Sequence, residues 1–232
     1  MTLLPIPSDN RIRGIFEKQW LQFLSIAVFM VLYYYFSQIG GVTTGNNVFG
    51  LTMGQLYWIA FFTPVIHQLY VWIIWRIQLY YNAVNRYLGK FGYGLYVATF
   101  VFILLFRFGS IFLLANGNRN TLVELKPFLL LCFVVFQIPI VYLFYSVIRY
   151  FGVVRATGID HFDPSYHNLP LETRGIYKYV NNAMYLFGLL IFYLPGLFYA
   201  SLGALLIAVF NHVFIWVHYF TLEKPDMEKI YH

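Results

Sequence analysis

About six long apolar runs constrain this chain more than any other feature of its sequence. Of its 232 residues, 60% are hydrophobic and only 10% are charged, whereas soluble domains carry about 25% charged residues. A helix needs about 20 apolar residues to cross a bilayer. The runs show no alternation of period two, so helices are favoured over a barrel. The sequence predicts an all-α, multi-pass transmembrane bundle, with spans at 20–39, 54–75, 95–115, 128–148, 184–199 and 201–222.

The last two runs differ from the others. The fifth is short and contains Pro195 and Gly196, so the pair is predicted to form a tight helical hairpin that can stop short of the far leaflet. Residues 1–19 are expected to be a cytoplasmic segment, and 20–232 a single transmembrane domain. The stretch 9–22 is either a short interfacial helix or the beginning of the first span.

The basic residues predict the orientation. Of 15 lysines and arginines, twelve flank the runs on the side of the two termini, two lie on the other side, and Arg107 lies within a run. Positive charge marks the cytoplasmic side, so both termini are predicted to be cytoplasmic. The net charge of +6 follows from this bias and from attraction to anionic lipids, and it requires no nucleic-acid partner.

Polar side chains line one face of the sixth run. At about 100° per residue, Asn211 and His218 share one stripe, and Trp216, Tyr219 and Glu223 lie on or beside the adjacent one. An aromatic and polar face of this kind indicates a pocket wall. The alternative is hydrogen bonding between helices.

The segment 160–163, Asp-His-Phe-Asp, and the nearby His167 are residue types that can bind a metal ion. Segments of this composition are more typical of solvated turns. No metal site is predicted here.

Two short motifs at the hairpin carry a resemblance. Residues 180–185 read Val-Asn-Asn-Ala-Met-Tyr, and about forty residues later the chain continues as Glu223-Lys224-Pro225. This arrangement resembles the membrane phospholipid methyltransferases, with phosphatidylethanolamine N-methyltransferase as the nearer member and isoprenylcysteine carboxyl methyltransferase as a more distant one. The family-like core is 150–232.

The resemblance implies that S-adenosylmethionine binds between the hairpin and the C-terminal tail. The cofactor-binding residues that it implies are Asn181, Asn182, Met184, Tyr185, Tyr219 and Glu223. For the two asparagines, capping of the fifth span is an alternative. Two positions depart from the family pattern: Ala183 replaces a usual proline, and Lys224 replaces a second glutamate.

An ethanolamine head group must lose a proton before it can attack a methyl donor, so a base is useful at the interface. His218 and Glu223 are the candidate catalytic residues, and the alternative for His218 is a structural histidine within the membrane. Three basic residues are candidates for the lipid phosphate, namely Arg155, Arg174 and Lys178. Trp216 is expected beside the substrate.

The predicted function is methylation, dependent on S-adenosylmethionine, of the phosphatidylethanolamine head group or of its mono- and dimethyl derivatives at the cytosolic face. The alternatives are carboxyl methylation of a prenylated cysteine and a non-catalytic lipid-binding protein. The expected partners are the bilayer and a phospholipid substrate. The membrane is either a bacterial inner membrane or the endoplasmic reticulum, and the oligomeric state stays open.

Overall fold

Capping residues set where several of the long helices begin and end. The structure is a computed structural model that describes residues 8–231, so the first seven residues of the predicted N-terminal segment lie outside it. Thr52 opens the longest helix with a capping box, in which its hydroxyl accepts from the Gln55 amide and the Gln55 side chain accepts from the Thr52 amide. The helix ends at Asn82, which adopts the left-handed conformation.

Among residues 8–231 the chain is helical and contains no β-strand. Its α-helices are α1 Ser8–Phe16, α2 Gln19–Ser37, α3 Met53–Tyr81, α4 Ala83–Leu88, α5 Phe91–Gly117, α6 Lys126–Ser146, α7 Val153–Ala156, α8 Ala183–Phe187, α9 Leu194–Tyr199, α10 Leu202–His218 and α11 Lys224–Tyr231. Two π-helical turns, Val147–Phe151 and Tyr219–Glu223, continue α6 and α10.

Five helical segments are long and apolar enough to cross a membrane, namely Arg11–Ser37, Met53–Tyr81, Phe91–Gly117, Val123–Phe151 and Leu202–Tyr231. The predicted all-α multi-pass membrane bundle is therefore confirmed. The remaining predicted run is the shorter apolar segment Ala183–Tyr199, in which a 3₁₀ stretch joins α8 to α9. It pairs with α10 as the expected hairpin, because Ala200 turns the chain in the left-handed conformation and the Ser201 hydroxyl caps α10.

The two ends of the bundle are distinct, and we name them by what they carry. At the termini face, Lys229 near the C-terminus bonds to Glu17 and to Tyr80. At the turn face, the loop after α5 meets the hairpin turn, where Asn120 and Leu122 donate to the carbonyls of Tyr199 and Ala200. Residues 152–182, which connect α6 to the hairpin, lie at the termini face.

Aromatic packing holds α10 against α2 and α3. Phe210 stacks on Phe61 with ring centroids 4.4 Å apart, and Tyr33 lies against both rings. Dispersion contacts of this kind pack helices in a bilayer, where no hydrophobic force separates them from lipid. This core fixes α10, and thereby fixes the residues that follow it at the termini face.

Asn118 joins three segments at the turn face. Its amide nitrogen donates to the carbonyls of Gly41 and Thr44, and its amide oxygen accepts from the Ser201 hydroxyl and the Gly203 amide. Asn118 is fully buried, so each of these groups would lack a partner without it.

We expect Asn118→Ala to lower the free energy of unfolding by about 2–4 kcal/mol, because four polar groups lose their partner in a buried site. Unfolding in mixed micelles measures this loss. Asn47→Ala removes an exposed amide from the same loop region and should leave stability unchanged. Equal losses in the two variants would contradict the role given to Asn118.

Candidate active site at the termini face

The π-helical turn Tyr219–Glu223 places the candidate site. A π-helical turn carries i→i+5 hydrogen bonds and inserts one residue into a helix, frequently at functional positions. The Thr221 carbonyl, within this turn, accepts a hydrogen bond from the Gln19 side chain at 3.1 Å and one from Arg76 at 3.5 Å. Side chains of α2 and α3 therefore hold the turn in place, and Glu223 ends it half-buried.

Three aromatic rings meet where the hairpin reaches the termini face. The centroid of the Tyr185 ring lies 5.9 Å from that of Trp216 and 5.6 Å from that of Tyr219, and the last two are 5.8 Å apart. All three contacts are edge-on, with interplanar angles of 64–82°. We call these residues the aromatic cluster. It presents ring surface that can stabilise a positive charge.

A buried ion pair lies beside the π-helical turn. The Arg76 Nε is 2.7 Å from Oδ1 of Asp226, and both side chains are fully buried. Arg76 also donates to the Gly14 carbonyl, which ties α1 to α3. The pair joins α3 to α11, so it fixes the direction that the chain takes after Glu223.

The loop after α7 packs onto this ion pair. The His161 ring stacks on Trp75 at 4.0 Å with an interplanar angle of 21°, and its Nε2 lies 3.4 Å from Oδ2 of Asp226. Trp75 in turn donates to the Tyr96 hydroxyl at 2.8 Å. The loop is anchored at its other end because the Asn85 side chain donates to the Phe162 carbonyl.

Asp160, next to His161, is also buried, and that burial raises the pKa of its carboxyl group above the usual value. The described residues contain no group of three His, Cys, Asp or Glu side chains arranged to hold a metal ion. The segment 160–163 is thus a packed loop that contacts α3 and α11, and the solvated turn expected for it is wrong for Asp160 and His161.

Gly158 permits this docking. Its φ is +79°, and a Cβ built on it would lie 2.3 Å from a ring carbon of Trp75. A side chain here would be strained in its backbone and would also press against the indole.

We expect Gly158→Ala to lower the free energy of unfolding by about 1–3 kcal/mol more than Gly50→Ala, because of the overpacking against Trp75. Gly50 has a φ of +78°, but a Cβ added to it would have no atom within 4 Å, so it reports the backbone strain alone. Thermal unfolding in detergent compares them. Equal shifts would show that the contact with Trp75 adds nothing.

The structure brings together only some of the residues expected to bind the cofactor. Tyr185 and Tyr219 meet in the aromatic cluster, and Glu223 follows Tyr219 within the π-helical turn. Asn182 occupies the cap position of α8, yet its side chain makes no capping hydrogen bond. Asn181 is exposed.

Met184 takes a different direction. It packs in a separate hydrophobic cluster with Leu143, Val147 and Ile176 on the side of α6. Its side chain therefore contacts α6 and the loop before the hairpin.

The three basic residues expected at a lipid phosphate have different surroundings. Arg155 donates to the Pro170 carbonyl and to the Tyr231 hydroxyl. Arg174 forms a two-pronged pair with Glu172 and lowers the pKa of that carboxyl group to about 2. Lys178 is exposed, with its ammonium 5.9 Å from the Tyr179 ring centroid.

His218, the expected base, is buried. Its ring centroid lies 6.1 Å from that of Trp75, and its Nδ1 has no hydrogen-bond partner. Asn211, two turns earlier on the same stripe, accepts a hydrogen bond from Arg107 of α5. For Asn211 the interhelical alternative is therefore the one observed.

Sequence reasoning missed the residues that join distant segments at this face. In the charge pattern Arg76 is one of the basic residues that flank the second span, and no pattern points to Asp226 as its ion-pair partner. The signal in the sequence is a charge, Arg76, at the end of a strongly apolar run, but nothing there indicates which carboxylate lies opposite it.

Comparisons with known proteins bear on the C-terminal part of the chain. Residues 126–232 match the family model described as phospholipid methyltransferase, which confirms the resemblance predicted from the hairpin motifs. The matched stretch contains the expected core, 150–232, and also α6. Neither the curated proteins nor the solved structures include a match to this chain.

Proposed function

We propose, from the premise that residues 126–232 are a phospholipid methyltransferase domain, that this chain methylates the amino head group of phosphatidylethanolamine or of its mono- and dimethyl derivatives. The methyl donor would be S-adenosylmethionine, and the reaction would take place at the cytosolic face. The observation that carries the proposal is the aromatic cluster beside Glu223.

The chemistry of these side chains fits the donor. S-adenosylmethionine, when bound, supplies a methyl group on a positively charged sulfur and also carries an ammonium group. Tyr185, Trp216 and Tyr219 offer ring faces, each worth about 0.5–2 kcal/mol to a cation. Glu223 makes no hydrogen bond or ion pair with any of residues 8–231, so its carboxylate is available to an ammonium group.

The same residues can orient the reactants. Methyl transfer is a direct displacement, so the protein has to align donor and acceptor and to exclude water. We assign alignment to the aromatic cluster, with Trp216 towards the lipid. Asn181, Asn182 and Met184 are proposed to contact the cofactor, although the orientation of Met184 towards α6 makes its part depend on a change of rotamer.

The acceptor amine must also lose a proton. His218 is the proposed acceptor of that proton, because its buried Nδ1 has no partner among the described residues and because Glu223 is better placed for the ammonium group. A neutral imidazole in this position can take a proton directly or through water.

Arg155 and Lys178 are proposed to bind the lipid phosphate by charge-assisted hydrogen bonds. Arg174 already pairs with Glu172, so its part would require that pair to open. The excess of basic residues at the termini face supports a cytosolic orientation, in either a bacterial inner membrane or the endoplasmic reticulum.

The test is direct. Purified protein in nanodiscs that contain phosphatidylethanolamine receives methyl-labelled S-adenosylmethionine, and mass spectrometry follows the lipid. We expect labelled mono-, di- or trimethylated lipid. Label on a prenylcysteine substrate with none on the lipid would favour carboxyl methylation, and failure to bind the cofactor in calorimetry would favour a non-catalytic lipid-binding protein.

A further inference from the structure

We infer that the loop 158–163 completes an acidic site for a cationic amine, in which Asp160 is the second carboxylate beside Glu223. The inference rests on the proposed function for the identity of the amine, and on the structure for the site. It adds a chain segment that neither hairpin motif includes.

The charges at the termini face do not balance. Three carboxylates lie close together, because Glu223 is near enough to Asp160 and to Asp226 for their charges to interact. Arg76 pairs with Asp226 at 2.7 Å. Within residues 8–231, neither Asp160 nor Glu223 has an ion-pair partner within 4 Å.

Asp160 is built into the fold with an oxygen to spare. Its exposed fraction is 6%, and its Oδ1 has no hydrogen-bond partner, while the Tyr231 hydroxyl lies within reach of the carboxyl group. An unpartnered buried carboxylate oxygen is costly. Such a group is retained where a ligand satisfies it.

The positively charged or titratable groups that face Asp160 are engaged elsewhere. Arg155 donates to the Pro170 carbonyl and the Tyr231 hydroxyl. His161 directs Nε2 towards Asp226, and the His167 ring nitrogen bonds to the backbone carbonyl of Asp160 rather than to its side chain. The remaining titratable neighbours are Glu223 and Tyr93.

Aromatic side chains of α5 stand beside each carboxylate. Tyr93 lies near Asp160 and Tyr96 lies near Glu223, close enough in each case for charge interaction. Phe162 packs between them, 5.2 Å from the Tyr93 ring and 5.0 Å from the Tyr96 ring. Carboxylates combined with ring faces are the chemistry that recognises an ammonium or alkylated ammonium group.

This arrangement predicts opposite effects on stability and on binding. Burial raises the pKa of Asp160, so its contribution to stability is fully present below the ordinary value of 3.8 and is lost as the pH rises through the raised pKa. At neutral pH the ligand-free protein therefore bears the cost of a buried carboxylate, which a bound cation would offset. A residue with a purely structural role would not show this trade-off.

Two molecules could supply the amine, namely the cofactor, through its ammonium group, and the lipid head group. The experiment uses the full chain in detergent and three forms of it: wild type, Asp160→Asn and Asp163→Asn. Asp163 lies in the same loop, and its side chain accepts from the Ser165 amide, a bond that asparagine can also make. Asp163→Asn is thus a matched control.

The first readout is the Tm of the ligand-free protein. We expect Asp160→Asn to raise it by a few °C near pH 7, and the difference from wild type to shrink as the pH falls towards 4. Asp163→Asn should match wild type. The second readout is affinity, measured by calorimetry with S-adenosylhomocysteine and by titration with dimethylated phosphatidylethanolamine in mixed micelles.

We expect Asp160→Asn to weaken binding of one of these two ligands by about tenfold or more, and the ligand affected identifies the source of the amine. Affinities within twofold of wild type for both ligands, or a Tm that falls by several °C, would overturn the inference. Normal binding in Asp160→Asn with active wild-type enzyme refutes this inference alone. Amine binding by a wild type that methylates no lipid refutes the proposed function alone.

Discussion

Asp226→Ala lowers the free energy of unfolding by about 3–5 kcal/mol, the loss expected when one partner of a buried ion pair is removed. The reason is that the Arg76 guanidinium stays fully buried without its carboxylate. The same change releases the contact between Asp226 and His161, so the loop 158–163 should loosen as well. Unfolding in mixed micelles measures the free energy, and hydrogen exchange of the loop measures the loosening.

Two further variants isolate the cause of that loss. Glu172→Ala also breaks a pair with an arginine, but that arginine is exposed, and removal of the pair should leave stability unchanged within error. Combining Asp226→Leu with Arg76→Met removes both charges and should recover much of the loss. If the double variant is as unstable as Asp226→Ala, the buried charge is not the cause.

Glu223→Gln weakens binding of S-adenosylmethionine by about 10- to 150-fold, which corresponds to the 1.5–3 kcal/mol of a hydrogen bond to a charged group. The substitution keeps the size and the hydrogen-bonding capacity of the side chain and removes only its charge. Because Glu223 makes no bond within the described chain, the fold should be unaffected. Calorimetry with the cofactor measures the affinity, and Tm checks the fold.

Glu228→Gln is the matched control for Glu223→Gln. It removes a carboxylate from the exposed side of α11 and should bind the cofactor as wild type does. If Glu223→Gln also keeps wild-type affinity, then Glu223 does not contact the cofactor and the proposed site is wrong.

The spans can be predicted because they depend on local composition. Long apolar runs form helices in a bilayer whatever their partners, since backbone groups must be satisfied within the helix. Pro195 and Gly196 mark the short run before α10, and the structure shows there a 3₁₀ stretch between α8 and α9. Aromatic residues at the mouth of the hairpin likewise come together because the hairpin itself is local.

The polar half of the site depends on contacts between residues that are distant in sequence. Arg76, His161 and Asp226 come from three separate segments, and nothing near any one of them indicates the other two. Gly158 is informative only once Trp75 is known to lie against it. The orientation of Met184 towards α6 depends on packing in the same way, so a motif alone places it on the wrong side.

The π-helical turn Tyr219–Glu223 has a consequence for how this chain tolerates change in length. Deleting one residue from the turn would convert it to an ordinary α-helical turn and rotate everything after it by about 100°. Asp226 would then face away from Arg76, and Lys229 away from Glu17. An exposed loop such as the one around Asn47 absorbs a deletion with little effect, whereas here a single lost residue would unlatch the whole C-terminal helix.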